Sequence, residues 1–188
     1  PSTQRILMID LNTKSNYSNI MKYKRICFIG MSGIGKSSFG ELLAKKYNLP
    51  FLDTDTLIEQ KIPISIKDYL KTQSEESFLT LEENVVLNTQ FPDQTIIATG
   101  GSIIYCNKAM LYLKKNCTII YLKDSLTNIK TRTKNFNERG IVMKGKKTIE
   151  DVYNHRLNLY KKWSDITITY PNKFSINTII SLIEKEIL

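Results

Sequence analysis

The sequence is poor in the residues that most metal sites and many hydrolases use. His155 is the only histidine, and Cys27, Cys106 and Cys117 show no C-x-x-C spacing. A histidine cage for a metal and a Ser-His-Asp triad therefore have little material to work with. The cysteine count and spacing also argue against a disulfide framework and against a zinc site. We expect the three thiols to be reduced, as in cytoplasmic proteins.

Long apolar runs are missing as well. The longest run near the N-terminus spans residues 6–9, far short of the roughly 18 residues that a membrane span requires. We therefore expect neither a membrane segment nor secretion. We expect a cytoplasmic protein that is a monomer.

The charge of the chain is strongly unbalanced. It has 27 lysines and arginines against 18 aspartates and glutamates, a formal net charge of +9. Such an excess suits a nucleic acid, because bound lysines and arginines release counterions from its phosphates, and it equally suits a nucleoside triphosphate. Many of the lysines fall on predicted helix faces, and no nucleic-acid motif accompanies them, so we expect a small polyanionic ligand. The nucleic-acid alternative predicts an affinity that falls steeply as salt rises.

The pattern of apolar residues predicts an α/β domain. With 188 residues, 41% of them hydrophobic, the chain fits one domain over residues 21–188, preceded by a polar, flexible extension over residues 1–20. Strands are predicted at Arg25–Gly30, Phe51–Asp53, Thr95–Thr99, Cys117–Leu122 and Asp165–Tyr170. Helices are predicted at about 37–47, 65–72, 75–90, 107–115, 125–133, 148–163 and 175–187. Alternation of the two kinds of element favours a parallel sheet covered on both faces. Residues 134–147 lack any period and predict a mobile lid.

A phosphate-binding loop follows the first strand. The stretch Gly30-x-x-x-x-Gly35-Lys36-Ser37 matches the complete pattern between an apolar strand and an amphipathic helix. Its glycines let backbone N–H groups turn toward a polyphosphate, and the helix presents its positive end to the same oxygens. Lys36 would neutralise the terminal phosphates, and the Ser37 hydroxyl would bind Mg²⁺. The alternative is a glycine-rich turn that contains a lysine by chance.

Two aspartates follow the second strand. Asp53 and Asp55 should emerge at the carboxyl edge of the sheet, where ligands bind in such folds. One carboxylate could hold the water shell of the metal, and the other could accept a hydrogen bond from an acceptor hydroxyl and take its proton. The alternative is that Asp55 caps the short helix that follows it.

These motifs resemble the shikimate kinase family over roughly residues 24–188. The resemblance rests on GMSGIGKS, LDTD, ATGGS, TRTKNFNERG and HRLNLY, in the order and near the spacing of that family. It implies a three-layer α/β/α P-loop kinase fold with a five-stranded parallel sheet in the order 2-3-1-4-5. It also implies a kinase that uses ATP and Mg²⁺ to phosphorylate a ring hydroxyl of shikimate. Two alternatives are a kinase for another polyhydroxylated metabolite and a nucleotide-binding protein that has lost this activity.

The resemblance assigns residues to each ligand. On the ATP side it implies Ser32, Gly33, Ile34, Gly35, Lys36, Ser37, Ser38 and Arg132, with Arg132 over the adenine. It gives Mg²⁺ to Ser37 directly and to Asp53 through water. On the acceptor side it implies Asp55, Gly100, Gly101 and Arg156, with Arg156 clamping the carboxylate of the acceptor. Catalysis would fall to Lys36, Asp55 and Arg139, which reaches the transferred phosphate from the lid. Each of the three arginines has an alternative as a solvated surface charge; for Arg156 it is an ion pair with Glu150 or Asp151.

The acceptor side departs from the family pattern. The family's Phe-Arg-x-x-Glu stretch is Phe78-Leu79-Thr80-Leu81-Glu82 here, so the second arginine of the carboxylate clamp is missing and the leucine should make that wall of the pocket apolar. Losing one charge-assisted hydrogen bond of roughly 1.5–3 kcal/mol would weaken carboxylate binding about ten- to a hundredfold, unless Lys71 reaches the site. Ser102 stands where a third glycine is usual. The family has a proline after the arginine that Arg139 matches, whereas this chain has Gly140. A residue with a restricted backbone φ is thus replaced by the residue whose backbone is most permissive.

Overall fold

The computed structural model describes residues 20–133 and 140–188. Five parallel strands form one sheet in the order β2-β3-β1-β4-β5. The strands are β1 Arg25–Ile29, β2 Phe51–Asp53, β3 Thr95–Ala98, β4 Thr118–Lys123 and β5 Ile166–Thr169. Every predicted strand is present to within one residue at each end, and the parallel sheet and its strand order are confirmed.

Eight α-helices accompany the strands within residues 20–133 and 140–188; seven lie between strands and α8 follows the last one. They are α1 Lys36–Tyr47, α2 Thr54–Glu59, α3 Ile66–Thr72, α4 Glu75–Leu87, α5 Asn107–Asn116, α6 Leu126–Arg132, α7 Ile149–Trp163 and α8 Ile176–Ile187. Periodicity alone predicted seven of them. The remaining helix, α2, was not predicted from periodicity, because its six residues are too few to show a period. Helix α4 ends three residues before the predicted boundary, where the Asn88 and Thr89 side chains donate to the carbonyls of Asn84 and Val85.

The three central strands, β3, β1 and β4, are buried on both faces and are mostly apolar. Side chains alternate between faces along a strand, so Ile26 and Phe28 join one core cluster while Cys27 and Ile29 join the other. Helices α1, α6 and α8 cover the first face, and helices α2, α4 and α5 cover the second. The result is the expected three-layer α/β/α arrangement.

The strand order places the functional loops together. The chain runs from β1 outward to β2 and back to β3 on one side, then crosses to β4 and β5 on the other. A crevice forms at the carboxyl edge of a parallel sheet where the direction of winding reverses. β3 pairs in parallel with both β1 and β2. The loops that follow these three strands therefore all begin at this edge.

Candidate active site

The loop between β1 and α1 has the backbone of a phosphate cradle. Gly30 and Gly35 have φ of 147° and 108°, in the region that disfavours side chains. Gly30 is also confined by its neighbours, because a Cβ there would lie 2.6 Å from the carbonyl oxygen of Leu122. The loop then passes directly into α1, whose N-terminus faces the same space.

Lys36 is folded over this loop. Its ammonium group donates hydrogen bonds to the backbone carbonyls of Gly30, at 2.9 Å, and Met31, at 3.1 Å. The residue is only 7% exposed although it carries a charge. Buried lysines need such partners, and these contacts hold the ammonium group at the mouth of the cradle. Ser37 and Ser38, on the first turn of α1, are exposed beside it.

Asp53 and Asp55 lie at the junction of β2 and α2. Oδ1 of Asp53 accepts a hydrogen bond from the backbone N–H of Asp55 at 2.9 Å, so Asp53 is the residue that caps the helix. The alternative in which Asp55 is the cap is therefore wrong. Asp55 instead lines a cavity together with Ser32, Gly100, Gly101 and Arg156.

The Gly100-Gly101-Ser102 turn after β3 brings the two halves of the site together. A Cβ on Gly101 would lie 3.2 Å from the backbone nitrogen of Ser32 and 3.1 Å from Nη1 of Arg156. Glycine at this position therefore lets the turn pass between the phosphate loop and helix α7. The hydroxyl of Tyr160, also on α7, donates to the Gly101 carbonyl at 2.7 Å and fixes the turn.

Arg156 is a buried cation at the wall of the same cavity. It is 1% exposed, and its Nη2 donates to the backbone carbonyl of Val142 at 2.7 Å. Its guanidinium carbon lies 5.3 Å from the centre of the Tyr105 ring, a cation–π contact. The surface alternative for Arg156 is wrong: Glu150 pairs with Lys130, and Asp151 completes a capping box.

Glu82 is a buried carboxylate that the sequence reasoning left without a role. It is 0% exposed, and its Oε2 accepts a hydrogen bond from the Ser102 hydroxyl at 2.7 Å. Burial, followed by the nearby Asp55 charge, raises the pKa of Glu82 to about 8. The sequence offered one indication of this contact: Ser102 stands where the family has a third glycine, and Glu82 on α4 is available to accept its hydrogen bond.

Comparison with known proteins decides the family. A family model described as shikimate kinase matches residues 32–185. The chain belongs to the shikimate kinase family. A shikimate kinase of Rippkaea orientalis is 35% identical over 158 residues, which cover 83% of each chain. One of Clostridium botulinum is 32% identical over 165 residues, covering 86% of this chain and 97% of the relative.

Solved structures agree with this membership. The shikimate kinase from Acinetobacter baumannii in complex with shikimate superposes with a TM-score of 0.76 at 25% identity, covering 88% of this chain and 93% of that one. The shikimate kinase from Aquifex aeolicus gives a TM-score of 0.69 at 25% identity, covering 86% and 96%. The protein is thus an ATP-dependent phosphotransferase of the shikimate kinase family with a P-loop kinase fold. Among the residues described, no helix is long and apolar enough to cross a membrane.

Arg132, assigned to the adenine by resemblance to shikimate kinases, lies beside the phosphate loop. Its Nη2 is 2.6 Å from Oδ2 of Asp124, and its guanidinium carbon lies 4.3 Å from the centre of the Phe174 ring. The next residue, Thr133, donates from its hydroxyl to the Gly33 carbonyl at 3.1 Å. These contacts hold the guanidinium against Asp124 and Phe174, next to a residue bonded to the phosphate loop. They contradict the alternative of a freely solvated charge.

The structure changes the interpretation of two residues at the departure from the shikimate kinase pattern, Leu79 and Lys71. Leu79 is 9% exposed and packs in a core cluster, whereas Phe78 is the residue of that stretch that lines the cavity. The expectation that Leu79 forms an apolar wall of the pocket is therefore wrong. Lys71 cannot replace the missing arginine, because its ammonium group pairs with Asp68 at 2.8 Å on the surface.

Part of the predicted lid is described. Arg139 lies outside the described residues, as do residues 134–138 and 1–19, and its role stays a prediction. After it, Gly140 packs so closely on α3 that a Cβ would lie 2.9 Å from the Cα of Lys67. Gly140 is not among the described residues with positive φ, so the close approach, rather than backbone freedom, requires glycine here.

Proposed function

We propose that this protein transfers the γ-phosphoryl group of ATP to a ring hydroxyl of shikimate, giving shikimate 3-phosphate and ADP. The observation that supports this most is the position of Arg156, a buried guanidinium in the same cavity wall as Asp55. An acceptor held by its carboxylate at Arg156 would present a hydroxyl toward Asp55, beside the phosphate loop. Shikimate has both groups on one small ring.

The phosphate side supports binding of the nucleotide. The N–H groups from Ser32 to Ser38 would enclose the phosphates, with Gly33, Ile34 and Gly35 forming the turn and Lys36 placed over it. Two hydrogen bonds hold this turn, a partly buried one from Thr133 to the Gly33 carbonyl and a buried one from the Tyr170 hydroxyl to the Ile34 carbonyl at 2.9 Å. We place Arg132 against the adenine, at the outer end of the same loop.

The donor set fits Mg²⁺ at the same edge. Ser37 offers a hydroxyl and Asp53 a carboxylate, hard oxygen ligands of the kind that Mg²⁺ prefers alongside phosphates and water. The cap to Asp55 uses one of the two carboxylate oxygens of Asp53. Among the described residues there is no cluster of three or more His, Cys, Asp or Glu side chains suited to a metal, which agrees with an ion held largely by phosphate. When bound, Mg²⁺ would neutralise charge on the transferring phosphate.

The transfer would run in line. The oxygen of the acceptor hydroxyl forms a bond to the γ-phosphorus while the bond to the bridging oxygen of ADP breaks, and the hydroxyl proton passes to Asp55. Lys36 and Arg139 would stabilise the charge that spreads over the phosphoryl oxygens. Closure of the lid over residues 134–147 would exclude water, a competing acceptor. We infer that the protein is a monomer and that it acts in the cytoplasm, where ATP is supplied.

A coupled ADP-release assay with several acceptors tests the proposal. Shikimate should stimulate ADP release strongly, quinate weakly and inositol, which has no carboxylate, hardly at all. Phosphorus NMR of the product should show a phosphomonoester on shikimate. Equal stimulation by inositol would reject a carboxylate acceptor and favour another polyol. Binding of MgATP with no stimulation by any acceptor would instead identify a nucleotide-binding protein.

A further inference from the structure

A second carboxylate stands directly behind the wall of the acceptor cavity. Glu82, on α4, accepts a hydrogen bond from the Ser102 hydroxyl at Oε2, while its buried Oε1 has no hydrogen-bond partner among residues 20–133 and 140–188. A Cβ on Gly100 would lie 2.4 Å from Oε1 of Glu82 and 2.7 Å from Oδ1 of Asp55. The two carboxylates therefore face the same glycine.

The neighbours of Glu82 do not supply a matched counter-ion. The ionisable groups that face it are Asp55 from α2, Arg156 and Tyr160 from α7, Lys36 from the phosphate loop and Cys106 from the start of α5. The Ser102 hydrogen bond, Arg156 and Lys36 lower the pKa of Glu82, but burial and Asp55 outweigh them. No ion pair to Glu82 is formed within the described part of the chain. A buried, unpaired carboxylate takes up a proton rather than remain charged.

The residues beside Glu82 leave the balance with the neutral form. Leu79, three positions earlier on the same helix face, provides no cation. The Ser102 hydroxyl donates to Oε2 and so opposes protonation, but burial and the Asp55 charge outweigh this bond, and Oε1 stays able to carry a proton. The raised pKa of Glu82, about 8, agrees with this geometry.

We propose that Glu82 is held as a neutral acid and thereby sets the charge of the acceptor site. An ionised Glu82 would compete for Arg156 and repel an incoming carboxylate, whereas a neutral one does neither. Asp55 then carries the only negative charge of the pair. The inference rests on the proposed function for the identity of the acceptor; the protonation state of Glu82 is independent of it.

Carbon-13 NMR of glutamate side-chain carboxyls tests the protonation state without any substrate. In the full chain, one glutamate resonance should titrate with a midpoint near 8. The resonance should vanish in Glu82→Gln and persist in Glu41→Gln, which changes an exposed glutamate on α1. A Glu82 resonance that titrates near the ordinary value of 4.5 would overturn the proposal.

Thermal unfolding gives a second readout. Because the pKa of Glu82 is raised in the folded state, the folded protein binds one more proton than the unfolded chain between about pH 4.5 and 8. The stability that Glu82 contributes is therefore complete below pH 4.5 and is lost as pH rises toward 8. The Tm of the natural protein minus that of Glu82→Gln should fall across this range. A difference that does not change with pH would contradict a neutral Glu82.

Steady-state kinetics test whether the charge of Glu82 affects binding of the acceptor. The KM of the natural protein for shikimate should rise by about tenfold between pH 7 and 9.5, while that of Glu82→Gln stays flat. Glu82→Gln should keep more of its kcat/KM at pH 7 than Glu82→Ala. A matching alkaline rise in Glu82→Gln would exclude Glu82 as its cause. If shikimate is not turned over at any pH, the proposed function fails, and the carboxyl titration still decides the state of Glu82.

Discussion

Nη2 of Arg156 donates a hydrogen bond to the backbone carbonyl of Val142, 2.7 Å away, and both residues are buried. The contact joins helix α7 to the segment that follows residues 134–139. It uses one nitrogen of the guanidinium, while Nη1 lies next to the Gly101 turn. The cation that we assign to the carboxylate of the acceptor is therefore fixed in place before any ligand arrives, which reduces the cost of ordering it on binding.

Replacing Arg156 by lysine should raise the KM for shikimate more than it lowers kcat. Lysine keeps the charge but loses the planar fork that holds the carbonyl and the carboxylate together. The loss of one charge-assisted hydrogen bond, roughly 1.5–3 kcal/mol, corresponds to about ten- to a hundredfold in KM. Steady-state kinetics with a thermal melt measure this. Arg25→Lys is the control, since Arg25 pairs with Asp93 at the opposite end of β1, and an equal effect there would refute the assignment.

Gly100→Ala should lower the activity of the enzyme. The new methyl group would lie 2.4 Å from Oε1 of Glu82 and 2.7 Å from Oδ1 of Asp55, so at least one carboxylate must move. We expect kcat to fall at least about tenfold, because small displacements of catalytic groups are costly. Overpacking should lower the free energy of unfolding by about 1–3 kcal/mol.

Leu111→Ala is the control for that variant. Leu111 lies on α5, is 61% exposed and does not line the cavity at Asp55. The control should retain its activity. Full activity in Gly100→Ala, measured by ADP release at saturating shikimate, would mean that the Gly100 turn does not bear on catalysis.

The phosphate side could be predicted from sequence because it is local. Strand, loop and helix follow one another within residues 25–47, and glycine and lysine at fixed offsets specify the backbone conformation. The five strands could be predicted for the same reason, since four are short, mostly apolar runs and β5 alternates isoleucine with threonine. Helix α2 and its Asp53 cap were harder, because a six-residue helix shows no period and either aspartate could begin it.

The acceptor side depends on contacts between distant residues. Glu82 and Ser102 are twenty positions apart, and neither position alone indicates a buried hydrogen bond. The same limit applies to Leu79, whose place in the core is set by how α4 packs on the sheet rather than by its neighbours in sequence. Resemblance to a family identifies the positions that differ; it does not say which contacts replace the missing ones.

Leu79→Arg tests whether Glu82 can be ionised by a partner. An arginine three residues before Glu82 on α4 can pair with it in the core, which should lower the pKa of Glu82. Because Leu79 packs in the core and does not line the cavity, we expect the arginine to bind Glu82 rather than the acceptor, and the KM for shikimate should not fall. In a Glu82→Gln background the same arginine would be buried without a partner and should cost several kcal/mol.

A double-mutant cycle measures this coupling. Urea unfolding of Leu79→Arg, Glu82→Gln and the double variant should give a favourable coupling energy of about 0.5–3 kcal/mol between the introduced arginine and the native Glu82. Additive effects would show that the two positions do not interact. A KM for shikimate that falls in Leu79→Arg would mean that the introduced arginine reaches the acceptor instead.

Lys36→Met should abolish transfer while leaving the chain folded. The ammonium group of Lys36 is held over the phosphate loop by the carbonyls of Gly30 and Met31, where the terminal phosphates of ATP would lie. Removing a preorganised charge of this kind typically costs about a hundred- to a thousandfold in kcat. Methionine keeps much of the buried volume, and removing a buried charge offsets part of the two lost hydrogen bonds, so the free energy of unfolding should fall by no more than about 1–3 kcal/mol. Lys45→Met, an exposed position on the same helix, should keep full activity. If Lys36→Met turns over ATP with shikimate at the natural rate, Lys36 does not stabilise the transferring phosphate and the loop only binds the nucleotide.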